Sequence, residues 1–328
     1  MTRPASLPLR LLLVAALTLL LTVAFASPRP TFAGNFLHVT KTADTADGTC
    51  DSDCSLREAI IFANSDDDPS DIVLPSGTYT LAIAGAAEDA SATGDLDMTN
   101  VINILGSGAD STIIDGGALD RVFHIRFPAV TTISGVTVRN GRVGDGGGIY
   151  IAAGSLTLEG VSVSGNTTTS NGGGIYNQAS LTINNSTISG NTAPGGYGGG
   201  IYNFSIGAET LTNSTVSGNS SNFGGGGIFN GTPGSTSLSN VTVANNTATS
   251  AESGGGIRKD GLGGAVILKN TIVADTTNGG NCFGAITSTG YNLDDDASCA
   301  LNGSGDLGNN NAQLLPLALN APGNTETH

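Results

Sequence analysis

Gly146-Gly147-Gly148-Ile149-Tyr150 decides how this chain is read, because the stretch returns four times. It comes back as Gly172–Tyr176, Gly198–Tyr202, Gly225–Phe229 and Gly254-Gly255-Gly256-Ile257-Arg258. The isoleucines stand 26, 26, 27 and 29 residues apart, and a fixed period of about 20–50 residues marks stacked supersecondary units. Three further columns keep step: Leu158, Ile183, Leu211, Leu238, Leu268; then Gly160, Asn185, Asn213, Asn240, Asn270; then Val163, Ile188, Val216, Val243, Val273. Two inward residues on one strand must be an even number apart. The leucine and valine columns are five apart, so a bend lies between them. Gly and Asn tolerate the left-handed backbone that such a bend needs. Three short strands and three bends per turn describe an all-β parallel β-helix. We expect about nine coils, with right-handed winding as the default for parallel crossovers.

Composition supports a solenoid over a globular core. The 328 residues include 49 Gly, no Trp and only 5% aromatics, yet the Ile, Leu and Val are periodic, which argues against disorder. Arg3 and Arg10 precede the apolar run Leu11–Phe25 and an Ala24-Phe25-Ala26 site, the pattern of a secretory signal peptide cleaved after Ala26 or Ala33. Without residues 1–33 the chain keeps 9 basic and 27 acidic residues, near −18. Such a surface repels nucleic acid and anionic membranes. The mature chain has no apolar stretch that would span a membrane, and we expect a monomer. Export also accounts for the cysteines: Cys50–Cys54 and Cys282–Cys299 are expected as disulfides, one at each end, since no His lies near either pair to favour zinc.

One helix is expected. Ser55-Leu56-Arg57-Glu58 has the form of a capping box, and Leu56, Ala59, Ile60 and Ala63 follow at helical spacing. The chain thus divides into a signal peptide (1–33), an N-terminal cap carrying this helix (34–70), the β-helix (71–293, regular over 146–257) and a C-terminal tail (294–328). The helix would lid the open end of the first coil.

Residues 47–59, DGTCDSDCSLREA, resemble the CSLREA motif found at the start of many secreted bacterial proteins. The GGGIYN units, with Ser164-Gly165-Asn166, Ser189–Asn191 and Ser217–Asn219, resemble the GG-x-I repeats of polymorphic-outer-membrane-protein-like right-handed β-helices. Lys269–Ala274, Asn281-Cys282, Gly290–Leu293 and Asp306-Leu307 are similar to the end of the same family's passenger region. Together these cover nearly all of the mature chain. The resemblance implies an exported, choice-of-anchor-type protein with a C-terminal surface anchor, which would begin near His328.

Many β-helices cleave polysaccharides, so catalysis has to be weighed. A pectate-lyase-type site needs clustered carboxylates for calcium and a basic residue to take a proton; a hydrolase needs paired carboxylates. From Gly146 to Ile257 there is no Lys, Arg, His or Asp, and the acids Glu159, Glu209 and Glu252 fall in different coils. Glu159 shares a column with Asn184, and Glu209 aligns with Leu181. The regular coils are therefore expected to be non-catalytic. Any active site belongs to Asp110–Asp145, where Asp115, Asp120, Arg121, His124, Arg139 and Asp145 coincide; the simpler reading of these is solvated turn charge. Two acid-rich stretches, Asp44/Asp47/Asp51/Asp53 and Asp294-Asp295-Asp296, could hold a structural calcium but lack the ordered spacing of an EF-hand loop. No other cofactor and no catalytic metal is expected.

Tyr150, Tyr176, Tyr202 and Phe229 neighbour the inward isoleucines, so they point outward and form an exposed aromatic stripe. That stripe is a candidate binding face for an extracellular glycan or a surface protein; the simpler reading is self-stacking that covers the strands. The repeated Asn residues read as hydrogen-bonded ladders. A secreted or cell-surface structural and adhesive module is the first expectation; a polysaccharide lyase or glycoside hydrolase is the second.

Overall fold

The computed structural model describes residues 34–328 apart from Ala87, 251–252, 262–263 and 321–322. The signal peptide read in 1–33, and Glu252, lie outside the described residues. The chain winds as an all-β, right-handed parallel solenoid with one short helix among the described residues. Each regular coil runs through three sheets in turn. In the first, Ile149–Ile151 lies on sheet 3, Ser155–Glu159 on sheet 1 and Ser162–Ser164 on sheet 2. Sheets 1 and 2 have ten strands each and sheet 3 has eight. Eight rungs on sheet 3 enclose about seven full turns, fewer than the nine coils expected. The period also concealed a fourth strand of two residues per coil, such as Thr167–Thr168, which builds a narrow five-stranded ribbon.

Every pairing in the solenoid is parallel and in register. Ile149, Ile175, Ile201, Ile228 and Ile257 stack on one another, as do the leucine and valine columns. All are sealed in a single continuous core. The bend lies where parity demanded it: Gly160, Asn185, Asn213, Asn240 and Asn270 all have positive φ, between 48° and 59°.

The glycine triplets are explained by crowding. Gly172 has φ +68°, and a Cβ on Gly173 would stand 2.4 Å from the carbonyl oxygen of Gly199 in the next coil. Two asparagine columns then fill the interior. Asn166 donates to Asn191 Oδ1, Asn191 to Asn219 and Asn219 to Asn246, each through backbone N–H and side-chain Nδ2 at 3.0 Å. Asn177, Asn203 and Asn230 form the second column, with Nδ2–Oδ1 distances of 3.0 Å. These residues are fully or almost fully buried, and they form the hydrogen-bonded ladders expected.

The helix Leu56–Ser65 begins with the expected capping box between Ser55 and Glu58 and touches the strands Asn35–His38, Ser70–Leu74 and Leu96–Met98. Arg57 is its least expected residue, fully buried and spending its guanidinium on Asp44 and on the carbonyls of Ser91, Gly94 and Asp95. Both expected disulfides are present. Beyond Leu307–Gly308, the last strand of sheet 2, the tail ends in an antiparallel pair, Ala318–Leu319 with Glu326–Thr327. It lies on the outside of sheet 2, where Thr187 Oγ1 donates to Glu326 O and Ser217 Oγ meets His328 Nε2 at 2.7 Å.

Candidate functional site

The outward residues of sheet 3 form one column: Asp97, His124, Tyr150, Tyr176, Tyr202, Phe229, Arg258 and Phe283. Ring centroids from His124 to Phe229 are 4.9–5.1 Å apart, close to the strand spacing, so the rings stack because the coils do. The expected stripe is thus in place but is more covered than expected. Tyr150, Tyr176 and Tyr202 are half-buried, and Phe229 is only 4% exposed because Tyr197 leans on it at 4.6 Å. Three of the four ring pairs are within 9° of parallel, so most faces are spent on each other. What the stripe offers solvent is ring edges and hydroxyls.

Those hydroxyls are organised. Tyr150 Oη donates to Gln178 Oε1 at 2.8 Å, and Gln178 Nε2 donates to Tyr176 Oη at 3.1 Å. Burial pushes the Tyr202 phenol up to about 12, with the other phenols and Asp145 adding, so all the hydroxyls stay protonated donors at neutral pH. Free aromatic faces come from residues outside the column. Phe204 is 45% exposed beside Tyr202, and Phe223 is 43% exposed beside Tyr197. Ile206 follows Phe204 and is almost fully exposed. Sequence reasoning missed all three because they break the repeat, and that departure was itself the available signal.

At one end of this column the ionisable groups gather. Asp97 is fully buried; its Oδ1 lies 3.0 Å from His124 Nδ1 and its Oδ2 accepts from Ser91 N. Asp89 pairs with Arg126 at 2.9 Å, and one ligand atom each from Asp89, Asp97 and His124 fall within 4.8 Å of one another. Arg121 Nε stands 3.4 Å from Asp95 Oδ2 without making a hydrogen bond, and the guanidinium lies 5.2 Å from the Tyr150 ring centroid. Burial first, then Asp97 and Asp120, push the Asp95 carboxyl up to about 7 against the pull of Arg121.

Of the six residues expected for an enzyme, Asp120, Arg121 and His124 therefore come together, joined by Asp95 and Asp97, which sequence analysis overlooked. The alternation Asp95-Leu96-Asp97-Met98 was the signal for a strand there. Asp115 and Arg139 lie elsewhere: they are register partners on sheet 2, paired at 2.8 Å, with Asn140 also donating to Asp115. Asp145 accepts from the backbone and side chain of Asn171. Glu159 sits at the surface, bonded to Asn185, and Glu209 is in the core; they form no pair. A hollow of about 620 Å³ bordered by Ser217, Asn245, Asp275, Leu315 and His328 lies under the tail, on the sheet 2 side.

Three parallel sheets wound around one core, with self-stacked asparagine and aromatic columns, define a parallel β-helix protein. The chain belongs to the right-handed β-helix region family, whose model matches residues 122–297. It is similar to the crystal structure of pectate lyase Pel9A, at a TM-score of 0.47 and 15% identity over 80% of this chain and 71% of that one. No curated protein matches its sequence.

Proposed function

We propose that this protein is an exported, non-catalytic β-helix that binds extracellular glycan along the outer face of sheet 3 and acts as a stiff adhesive module. The observation that carries the reading is the pair of exposed rings, Phe204 and Phe223, flanking a column of phenol hydroxyls and Gln178. Sugars need both parts, apolar faces for their C–H surfaces and fixed polar groups for their hydroxyls. Export is supported by the signal-like residues 1–33, the CSLREA-like motif and two disulfides. Among the described residues no helix is long and apolar enough to cross a membrane. A net charge of −15 disfavours nucleic acid as the partner.

The test is retention of the chain from Gly34 on a panel of neutral and acidic polysaccharides. Replacing Phe204 and Phe223 together by Ala should weaken binding about tenfold with little change in thermal unfolding, since apolar surface covered by a ligand is worth about 25 cal/mol per Å² and both rings are exposed. Undiminished binding in that variant would remove the face from consideration. A lyase or hydrolase is the second reading, favoured by one observation: the Asp95 carboxyl, pushed up to about 7, lies beside Arg121 at the end of the same face, where a general acid or base is most effective. The expected result is no release of unsaturated or reducing ends. Release that disappears in Asp95→Asn would replace the first reading with the second.

A further inference from the structure

We propose that the disulfide-closed loop between Cys282 and Cys299 holds a calcium ion, ligated by Asp294, Asp295 and Asp296 together with the carboxamide of Asn281. One carboxylate oxygen from each of the three aspartates falls within 4.8 Å of the others. Asp294 is fully buried. None of the described ion pairs reaches any of the three.

The independent observation is Asn281. It is fully buried, yet its Oδ1 has no hydrogen-bond partner. Its Nδ2 lies 2.8 Å from Asp294 Oδ1, 2.5 Å from Asp295 Oδ1 and 3.0 Å from Val273 O. One amide nitrogen has two hydrogens, so three acceptors crowd two donors while a fourth acceptor stands idle. Oδ1 is only ~2.3 Å from Nδ2 in the same amide, so half a turn about the last torsion brings it among the carboxylates. Turned inward, Oδ1 joins the Asp294, Asp295 and Val273 oxygens, and an all-oxygen set favours a hard cation.

The remaining oxygens are already held in place. Asp294 Oδ2 accepts from Cys299 N, Asp295 Oδ2 from Asp275 N and Asp296 Oδ2 from Asn281 N; Asp296 Oδ1 takes Ser298 N and Oγ. Backbone donors therefore fix the carboxylates, and the disulfide limits how far the loop can open. The other acid-rich stretch shows what neutralisation by protein looks like: Asp44 is paired with Arg57 at 2.7 Å and Asp53 with Lys41 at 3.1 Å.

The full chain, stripped with chelator, should be titrated with calcium chloride by calorimetry and melted with and without the ion. Binding of one ion per chain is expected, with Kd between about 10⁻⁵ and 10⁻³ M, the weak end of the range for calcium modules. The melting temperature should rise by several degrees at saturation. Asp295→Asn should lose the heat of binding. Asn281→Asp should melt lower than the parent in chelator and recover in calcium, because its added charge is tolerable only beside the ion. No heat and equal melting in chelator and in 5 mM calcium (about five times the weakest expected Kd) would overturn the site. So would an Asn281→Asp variant whose destabilisation calcium leaves unchanged.

Discussion

The regular coils from Gly146 to Ile257 and the irregular coils before them share one register but satisfy their polar groups by opposite rules. In the regular coils like stands on like: Asn166 on Asn191 on Asn219, Tyr176 on Tyr202, Asn177 on Asn203. A carboxamide both donates and accepts, so identical copies bond to each other without limit. A charged group cannot do this, because stacking it on its own kind at strand spacing is repulsive. The irregular coils show the complement. Asp97 meets His124, and Asp115 meets Arg139, each across adjacent coils in register. Charge enters a β-helix where successive coils differ, and any chemistry has to enter there too.

The rule is tested most severely by placing a charge in the stacked core. Ile201→Asp puts a carboxylate in a fully buried column with neighbours Ile175 and Ile228. Lost burial and an unpaired charge should together cost upwards of about 5 kcal/mol, enough to unfold the central coils. Thermal unfolding at the parental temperature would show that the isoleucines do not stack as described. The irregular side is tested at Arg57. Arg57→Met leaves Asp44 buried without its partner and three carbonyls without donors, at a cost of about 3–5 kcal/mol in urea unfolding. A change below about 1 kcal/mol would mean that the buried ion pair is not what fixes the first coils.

The core was legible because it repeats: parity over five residues located the bend, and the columns named the inward residues. The capping box and the disulfides were legible as local signals. The charged end of sheet 3 was not, since Asp95 and Asp97 lie before the periodic region and some thirty residues from His124, and only the winding of one coil brings them together. The role of Arg57 was hidden for the same reason, because its acceptors at Ser91, Gly94 and Asp95 carry no mark in sequence. Their common place in the segment Asp110–Asp145 suggested that Arg139 belonged with His124, but two residues fifteen apart in a coil sit on different sheets.

Glu209 sharpens the comparison with the smallest of these effects, since it is the one acid that the described regular coils admit to the core. It stacks between Leu181 and Thr236 and is 1% exposed. Burial pushes its carboxyl up to about 8, against hydrogen bonds from Thr236 and Asn177. At neutral pH the group is therefore mostly protonated, and a neutral carboxyl, like the carboxamides around it, both donates and accepts. The consequence for pH has a definite sign. A carboxyl whose folded value lies above its unfolded one stabilises less as pH rises, beginning near the unfolded value of 4.5 and continuing through about 8. Between pH 5 and pH 8 this group alone should remove on the order of 3 kcal/mol. Glu209→Gln keeps the size and the hydrogen-bonding capacity while removing the proton equilibrium. Urea unfolding at the two pH values should therefore show a drop in the variant that is smaller than the parent's by about 3 kcal/mol, the part due to Asp95 remaining in both. Equal slopes in both proteins would mean that the carboxylate is accommodated charged, and the rule that only self-complementary neutral groups enter the stacked core would fail at the one position where the sequence tests it.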